Sequence, residues 1–386
     1  MLKKEFNYKL SVLLCSLSFL YLSYINVASG LNSQIDNEST IGYGLNIGYF
    51  VFISSYVILL LCNSIRETLW PLSILGAYIA FLFLTEVSSA GDVIRVVGLL
   101  LWVLCYYFGN RISSCSSSIK NYFVYLLFLS TTVLSFYFLY FYYVKGFLQY
   151  QTTTDTAFFL IVYLPFVLMF KKRKTIKLFV LLLFVVVAVL SLKRSIVLGL
   201  LVFFVSYFVS SAKGNVLKKW YFWLMLPLVI AVVAYLYGTV GEILGARFND
   251  SVETGGNGRT DIYVNIWHHF TSSSFLEQLF GHGLMSVRQI NNGILAHNDF
   301  LQLLYDGGLM AATLYIFMWF ALFSVAIKNW RLRKQIGNYY AVYVATIMLY
   351  LVLSLMNCFI YSYMLISPMM LAVGYQVGEI KNKNCM

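Results

Sequence analysis

The sequence contains little charge. Of its 386 residues only 11% are Asp, Glu, Lys or Arg, whereas 60% are hydrophobic and the mean hydropathy is +0.78. This composition excludes an ordinary soluble domain. Apolar runs such as 121–144 and 220–240 reach the roughly 20 residues that a helix needs to cross a bilayer, and they lack the short alternating segments of an outer-membrane barrel. The sequence therefore predicts an all-α polytopic membrane protein.

Cysteine spacing and a cleavage signal are also lacking. The six cysteines, at positions 15, 62, 105, 115, 358 and 385, show no metal-ligand spacing. They predict neither a zinc site nor a disulfide framework, and we expect no metal and no other cofactor.

The first apolar run follows a basic stretch but is not followed by a clean small-residue cleavage site, which favours a retained helix over a removed signal peptide.

Acidic residues are scarce relative to basic ones. The 27 Lys and Arg residues against 15 Asp and Glu residues give a net charge of +12, which by itself would suggest nucleic acid. The basic residues instead form short clusters between apolar runs, as at 171–177 and 328–334. The positive-inside bias of membrane proteins explains this pattern, and we expect no nucleic-acid partner.

The apolar runs predict about twelve transmembrane helices with both termini in the cytoplasm. That orientation puts 20 of the 27 Lys and Arg residues inside and 12 of the 15 acidic residues outside. The predicted spans lie near 9–29, 42–62, 68–87, 93–108, 121–144, 157–170, 178–192, 195–211, 220–240, 307–327, 339–356 and 359–377.

One outer connection is far longer than the typical link of about 4 to 6 residues. It divides the chain into helices one to nine (1–240), a large outer loop (241–306), and helices ten to twelve with a cytoplasmic tail (307–386). Within the loop, apolar residues at helical spacing over 259–270 predict a short amphipathic helix on the membrane surface. A second helix over 299–306 is predicted to be capped by Asn298 and Asp299 and ended by Gly307–Gly308.

All four histidines lie in this loop or at its end: His268, His269, His282 and His297. The loop also contains Arg247, Arg259 and Arg288, and glycines on both sides of His282 predict a tight turn there. Loops collect polar residues of every kind, but this enrichment is specific for imidazole and guanidinium groups, which favours a functional site.

Arg95 and Arg194, near the outer ends of predicted spans, are further cations that either contact lipid headgroups or have a function. A cation at membrane depth costs about 2.5 to 3.5 kcal/mol, so it usually faces a cavity or a partner. For Arg95 we expect headgroup contact or pairing with Asp92. For Arg194 headgroup contact and a functional role both stay open.

The order of motifs resembles the membrane glycan polymerases and ligases that include O-antigen polymerase and O-antigen ligase. The resemblance rests on motifs within about 190–330: Arg247-Phe248, Gly258-Arg259 followed by Trp267, Gly281-His282-Gly283, and His297-Asn298 followed by Gly307-Gly308. One departure is Lys193, which precedes Arg194 where the family often has a small or polar residue.

The resemblance implies glycosyl transfer at the outer face of the cell inner membrane. A glycan carried on undecaprenyl diphosphate would move to an acceptor hydroxyl, with membrane lipids around the enzyme and a chain-length regulator as a candidate partner. It implies diphosphate binding by Arg194, Arg247 and Arg259, whose guanidinium groups supply bidentate donors without a metal.

The acceptor hydroxyl needs a general base, and His297 is the candidate. It precedes a predicted helix, whose positive end disfavours protonation of the imidazole. The alternative is that His297 merely caps the helix or contacts a headgroup. His282, Asn298 and Arg288 are candidate glycan contacts.

The sequence favours a polymerase, whose acceptor is a lipid-linked repeat unit, because the chain is rich in aromatic residues. The alternatives are an O-antigen ligase with a lipid A-core acceptor, a lipid-linked oligosaccharide flippase or other twelve-span transporter, and a non-catalytic scaffold. Transporters built from two six-helix halves usually have their long connection between helices six and seven, and tend to have interrupted helices or intramembrane acids in matching positions of the two halves. The sequence predicts neither feature.

Overall fold

The computed structural model describes residues 2–31, 70–84, 90–144, 157–170, 174–191, 193–211 and 259–384. Within these ranges the regular structure is helical and contains no strand, which confirms the all-α prediction for them. The predicted spans 42–62 and 220–240 and the loop segment 241–258, with Arg247, lie outside the described residues. Twelve spans therefore stay a prediction, as does the division of the chain at 240 and 306.

The described ranges contain fifteen helices. They are α1 (Leu2–Leu31), α2 (Trp70–Leu84), α3 (Ala90–Ser113), α4 (Ser117–Val144), α5 (Phe158–Ile161), α6 (Leu164–Met169), α7 (Lys174–Leu190), α8 (Arg194–Ser211), α9 (Arg259–Ser272), α10 (Phe275–Phe280), α11 (Val287–Ile290), α12 (Asp299–Asn329), α13 (Arg333–Ile336), α14 (Asn338–Met356) and α15 (Tyr363–Asn384).

Four of these helices contain segments long and apolar enough to cross a membrane: Glu5–Tyr24, Ser117–Tyr140, Asp299–Asn329 and Asn338–Met356. Shorter apolar helices accompany them in α2, α7 and α8. Their length and composition agree with a helical multi-pass membrane protein.

The predicted span 157–170 is an apolar helical segment, Phe158–Met169, that is broken near its middle. The structure has two short helices there, α5 and α6, with Val162 and Tyr163 between them. Pro165 lies in the first turn of α6, where no helical N–H is required, so a helix starts readily just before it. Most of this segment is buried within the protein, where broken helical backbone is tolerated.

The basic turn predicted at 171–177 is shorter in the structure, because α7 already begins at Lys174. The ammonium group of Lys177 donates a hydrogen bond to the carbonyl of Leu168 at 2.8 Å. A cation is favourable at that position because the last carbonyls of α6 have no partner within their own helix.

The centre of the bundle is α15, whose side chains from Leu365 to Ile380 are buried. Glycines allow α3 and α15 to approach closely. A Cβ atom at Gly109 would collide with the carbonyl of Leu371, and one at Gly374 with the carbonyl of Tyr106. Small residues have this role in membranes because lipid offers no hydrophobic drive for helix association, so close backbone contact must supply it.

α12 and α15 begin, and α14 ends, at one end of the bundle, which the predicted orientation places outside and which we call the outer end; the opposite end is called the inner end. The segment 259–298, with α9 to α11, precedes α12 directly, and α2 packs beside the middle of this assembly. This arrangement brings the loop motifs onto the ends of the membrane helices.

Candidate active site

The first part of the site is α9, which confirms the helix predicted over 259–270. Its apolar stripe is divided, because Ile266 and Phe270 are buried against Val287 and Tyr305 while Trp267 is 56% exposed. The prediction that this whole stripe lies on the membrane surface is therefore wrong for Ile266 and Phe270, which pack on protein.

A polar contact fixes α9 to α11. The side-chain amide of Asn265 donates to the carbonyl of Ile290 at 2.8 Å and to Oδ1 of Asn291 at 2.9 Å. Because Arg288 lies within the same short helix α11 as Ile290, this contact brings the segment that starts at Arg259 beside the segment that carries Arg288.

The second part is the tight turn around His282, which the structure confirms. Gly281 and Gly283 have φ values of +87° and +98°, a region that favours glycine. The backbone N–H groups of His282 and Gly283 donate to the carbonyls of Tyr305 and Asp306 at 3.1 Å and 3.0 Å. The turn is therefore docked on α12.

The imidazole of His282 contacts the protein on both ring nitrogens. Its ring stacks on that of Tyr305, with centroids 4.2 Å apart and planes within 5°. Nε2 lies 2.8 Å from the hydroxyl of Ser273, and Nδ1 lies 3.2 Å from the carbonyl of Tyr305. This geometry favours a positioning role for His282.

The turn can dock on α12 because α12 is interrupted at Gly308, where φ is 67° and ψ is −168°. An interrupted helix leaves its last carbonyls without intrahelical partners. Here those carbonyls accept from the turn and, at Gly307, from the hydroxyl of Tyr78 at 3.0 Å. The predicted helix end at Gly307–Gly308 is confirmed as a kink at Gly308, and the two helical segments on either side of it are described together as α12.

A buried polar chain runs along the first two turns of α12. Both oxygens of the Asp306 carboxylate accept hydrogen bonds, from the backbone N–H groups of Met285 and Val287 at 2.9 Å and 3.1 Å, and from the amide of Gln302 at 2.7 Å. Gln302 in turn accepts from the backbone N–H of Ala296 at 2.9 Å. This chain holds the backbone immediately before His297.

The backbone immediately after His297 is held as well. Asn298 is the N-cap of α12, and its Oδ1 accepts from the N–H groups of Phe300 and Leu301 at 2.9 Å and 3.3 Å, as predicted. The cap position belongs to Asn298, so the alternative that His297 caps the helix is not supported.

Asp299, predicted as a second cap, has a different role. Its carboxylate is fully buried and accepts from the backbone N–H groups of Phe359 and Ile360 at 2.6 Å and 2.9 Å, and from the hydroxyl of Tyr315 at 3.0 Å. It therefore joins the start of α12 to the connection between α14 and α15 rather than capping its own helix.

His297 lies between these two fixed points and is half-buried. Its φ is +52°, in the left-handed region, which costs a residue with a side chain about 1–2 kcal/mol. Such a conformation persists only when the surrounding structure determines it, and strained residues of this kind concentrate at functional sites.

The predicted arginines are placed in part. Arg259 is the first residue of α9 and is half-buried, whereas Arg288 is exposed. The backbone of Arg194 begins α8, and its side chain, like all of Arg247, lies outside the described part of the chain. His282, His297 and Asn298 all lie at the first two turns of α12, and we call this group the His297 cluster. Arg288 lies in α11, which is bonded to the same turns through Val287 and Asp306. The grouping of Arg194, Arg247 and Arg259 around a diphosphate stays a prediction.

Charged residues of this region affect the pKa of the Cys358 thiol. Burial raises its pKa, the charges of Asp299 and Asp306 raise the pKa further, and the guanidinium of Arg288 lowers it. Arg288 is thus electrostatically close to the connection that Asp299 holds.

A cavity of about 510 Å³ lies away from this cluster. Its lining includes Lys9, Ser118, Tyr339 and Tyr375. Tyr339 lies at the start of α14 and Tyr375 in the second half of α15, whereas the His297 cluster meets the opposite ends of both helices. The cavity is therefore not part of the candidate site.

Sequence reasoning missed the positioning roles of Asp299, Gln302 and Asp306. Their spacing of three and then four residues places them on one face of α12, within an otherwise apolar stretch. Polar residues on one helix face at the edge of a span were the signal that could have identified them.

Residues 178–316 match a family model described as O-antigen ligase. The matched segment covers α7 to α11 and the first half of α12, and so contains Arg259, His282, His297 and Asp306. This match confirms the resemblance drawn from the loop motifs. A comparison with curated proteins found no match.

Proposed function

We propose that this protein, which over residues 178–316 matches a family model described as O-antigen ligase, is a surface-polysaccharide polymerase at the outer face of the inner membrane. Its substrates are a glycan on undecaprenyl diphosphate and a lipid-linked repeat unit. The observation that carries this proposal is His297, held in a left-handed conformation between two buried hydrogen-bond systems where the loop meets α12.

The proposed reaction is one glycosyl transfer. The acceptor hydroxyl oxygen forms a bond to the anomeric carbon of the donor glycan, while the bond from that carbon to the diphosphate oxygen breaks. The hydroxyl proton passes to the neutral imidazole of His297, and the bond electrons leave with the lipid diphosphate. No metal ion is required for this balance.

The leaving diphosphate gains negative charge, which Arg194, Arg247 and Arg259 are proposed to stabilise. Guanidinium groups suit this task because they present paired donors and stay charged in poorly hydrated sites. The position of Arg259 at the first residue of α9 supports this role, because the unpaired N–H groups of that helix end also attract anions.

Among the proposed glycan contacts, Arg288 is favoured because its side chain is exposed beside the cluster. The side chains of His282 and Asn298 are engaged within the protein, so we propose that they hold the glycan-binding surface in shape.

An O-antigen ligase is the second candidate, and the description of the matching family model favours it. The two reactions share the donor and differ in the acceptor, which for a ligase is the lipid A-core oligosaccharide. His297 and the arginines would serve either reaction.

The test is to delete the gene, restore it with wild type or His297→Asn, and separate the surface polysaccharide by size. Asn is the sharpest replacement because it also adopts positive φ, so the change removes the imidazole with little effect on the backbone. His268→Asn, on the exposed surface of α9, is the matched control.

A polymerase deletion leaves single repeat units attached to the core, and His297→Asn should reproduce this at normal expression. Bare core with accumulated lipid-linked polymer would indicate the ligase instead. Unpolymerised lipid-linked units trapped on the inner face would indicate a flippase, and full chain length with His297→Asn would remove His297 as the base.

A further inference from the structure

The short helix α10 has an apolar face that the described protein does not cover. Its sequence is FLEQLF, and at 100° per residue Phe275, Leu276, Leu279 and Phe280 occupy an arc of roughly 140°. Phe275 is 75% exposed, Leu276 65% and Phe280 49%. Three large apolar side chains at this exposure on one helical turn are unusual for a surface in contact with water.

The polar face of α10 is used by the protein itself. Ser274 and Glu277 form a capping box, with each side chain bonded to the backbone N–H of the other residue. The amide of Gln278 donates to the carbonyl of Ser273 at 3.0 Å. The helix is therefore held in a fixed orientation with its apolar face outward.

The helix α10 contacts two apolar helices of the bundle, α2 and α12. The hydroxyl of Tyr78 in α2 donates to the carbonyl of Phe280 at 3.1 Å. A Cβ atom at Gly308 would meet the carbonyl of Leu279, so α10 contacts the kink of α12 directly. The next residues of α12, Leu309 and Met310, are exposed and apolar.

We propose that α10 is a membrane anchor, and that Phe275, Leu276 and Phe280 enter the boundary between headgroups and acyl chains of the outer leaflet. Lipid fits this surface because it carries no charge and because α10 contacts α12 at Gly308, directly before the exposed apolar residues Leu309 and Met310 of a helix long enough to cross a bilayer. The anchor holds the adjoining turn at Gly281–Gly283 at a fixed depth. The inference goes beyond the proposed function and does not depend on it.

The test is photo-crosslinking with p-benzoylphenylalanine at position 275 or 276, in the full-length protein reconstituted into nanodiscs of phosphatidylethanolamine and phosphatidylglycerol. Position 320 on the exposed face of α12 is the positive control, and the exposed Asp261 on α9 is the solvent control. We expect phospholipid adducts by mass spectrometry at 275 and 276 at yields similar to 320. Crosslinks to another segment of this chain or to a second protein, or no adduct while 320 reacts, would overturn the proposal.

A second measurement places the probe at 280 and removes the neighbouring apolar side chains with Phe275→Ser and Leu276→Ser together. We expect the lipid adduct yield at 280 to fall about five-fold or more. Ile294→Ser, which removes an exposed apolar side chain outside α10, should leave the yield unchanged. An unchanged yield in the double variant would contradict the anchor.

Discussion

Charged side chains have different kinds of partner at the two ends of the helical bundle. At the inner end, cations contact the protein's own acceptors: the ammonium of Lys120 lies 2.8 Å from the Glu379 carboxylate, and Lys177 and Lys383 donate to the carbonyls of Leu168 and Ile336. At the outer end, the buried carboxylates accept from backbone N–H, hydroxyl and amide groups.

This difference matters because the described carboxylates at the outer end do not form ion pairs with Arg259 or Arg288. Within the described ranges, neither Arg259 nor Arg288 has a carboxylate at ion-pair distance, whereas the described ion pairs belong to the inner end. Guanidinium groups that are not neutralised by the protein stay available for an anionic substrate. This contrast supports the proposal that the outer end binds substrate, whereas the described ion pairs of the inner end join parts of the protein to each other.

The largest expected effects, on activity at the outer end and on stability at the inner end, come from removing one cation at each end. Arg259→Gln should lower glycosyl-transfer activity about 100-fold with an unchanged melting temperature, because it removes a donor to the leaving diphosphate. Lys120→Met should leave activity per folded molecule unchanged but lower the free energy of unfolding by about 1–3 kcal/mol, because Glu379 loses its partner in a partly exposed pair.

Polymer synthesis from lipid-linked substrate in nanodiscs, together with thermal unfolding, measures both variants. If Arg259→Gln destabilised the protein and Lys120→Met abolished activity, the assignment of binding to the outer end would be reversed.

The next effect compares one glycine at each end. Gly308 and Gly337 both have positive φ, at 67° and 73°, but a Cβ atom at Gly308 would collide with Leu279 and Gly281 whereas one at Gly337 meets nothing within 4 Å. Alanine is strained by the positive φ at both positions, so that cost is the same in the two variants. The collision with Leu279 and Gly281 is an additional cost at Gly308 alone, so Gly308→Ala should lower the free energy of unfolding by about 1–3 kcal/mol more than Gly337→Ala. Equal shifts in thermal unfolding would show that α10 does not contact the kink.

A smaller effect is expected at the buried chain that precedes His297. Asp306→Asn replaces one of the two carboxylate oxygens with an amide donor, which then faces the backbone N–H of either Met285 or Val287. The unsatisfied groups should cost about 1–3 kcal/mol of stability. Because Asp306 acts through position rather than contact with substrate, kcat should fall while KM changes little; a purely structural residue would change only the amount of folded enzyme.

The smallest effect concerns pH and the capping box of α10. Hydrogen bonds from Ser274 hold the pKa of Glu277 below its ordinary value. A carboxylate with a lowered pKa in the folded state contributes stability above its unfolded pKa and loses it as the pH falls through the folded pKa. Hydrogen exchange of the 275–280 amides, corrected for its intrinsic pH dependence, should therefore rise on acidification in wild type. Glu277→Gln should remove that dependence, and an identical pH response in both proteins would exclude the capping box as its source.

The helices themselves were largely readable from the sequence. Apolar runs predicted most described spans within a few residues, because a bilayer imposes a minimum apolar length. Where local chemistry was decisive the predictions also hold: Asn298 caps α12, and glycines form the turn at His282. The interruption before Pro165 was missed because an apolar run reads alike whether it faces lipid or protein.

The sequence alone indicated a helical membrane protein, a resemblance to the O-antigen polymerase and ligase family, the clustering of histidine and arginine between residues 247 and 297, and the position of His297 before a helix. Only the tertiary structure decided what holds His297. Asp299 bonds to residues 359 and 360, and Asp306 bonds to the 285–287 turn, contacts between segments about 20 to 60 residues apart. Propensity and periodicity report on near neighbours in the chain, whereas the partner of a buried carboxylate depends on how the helices pack.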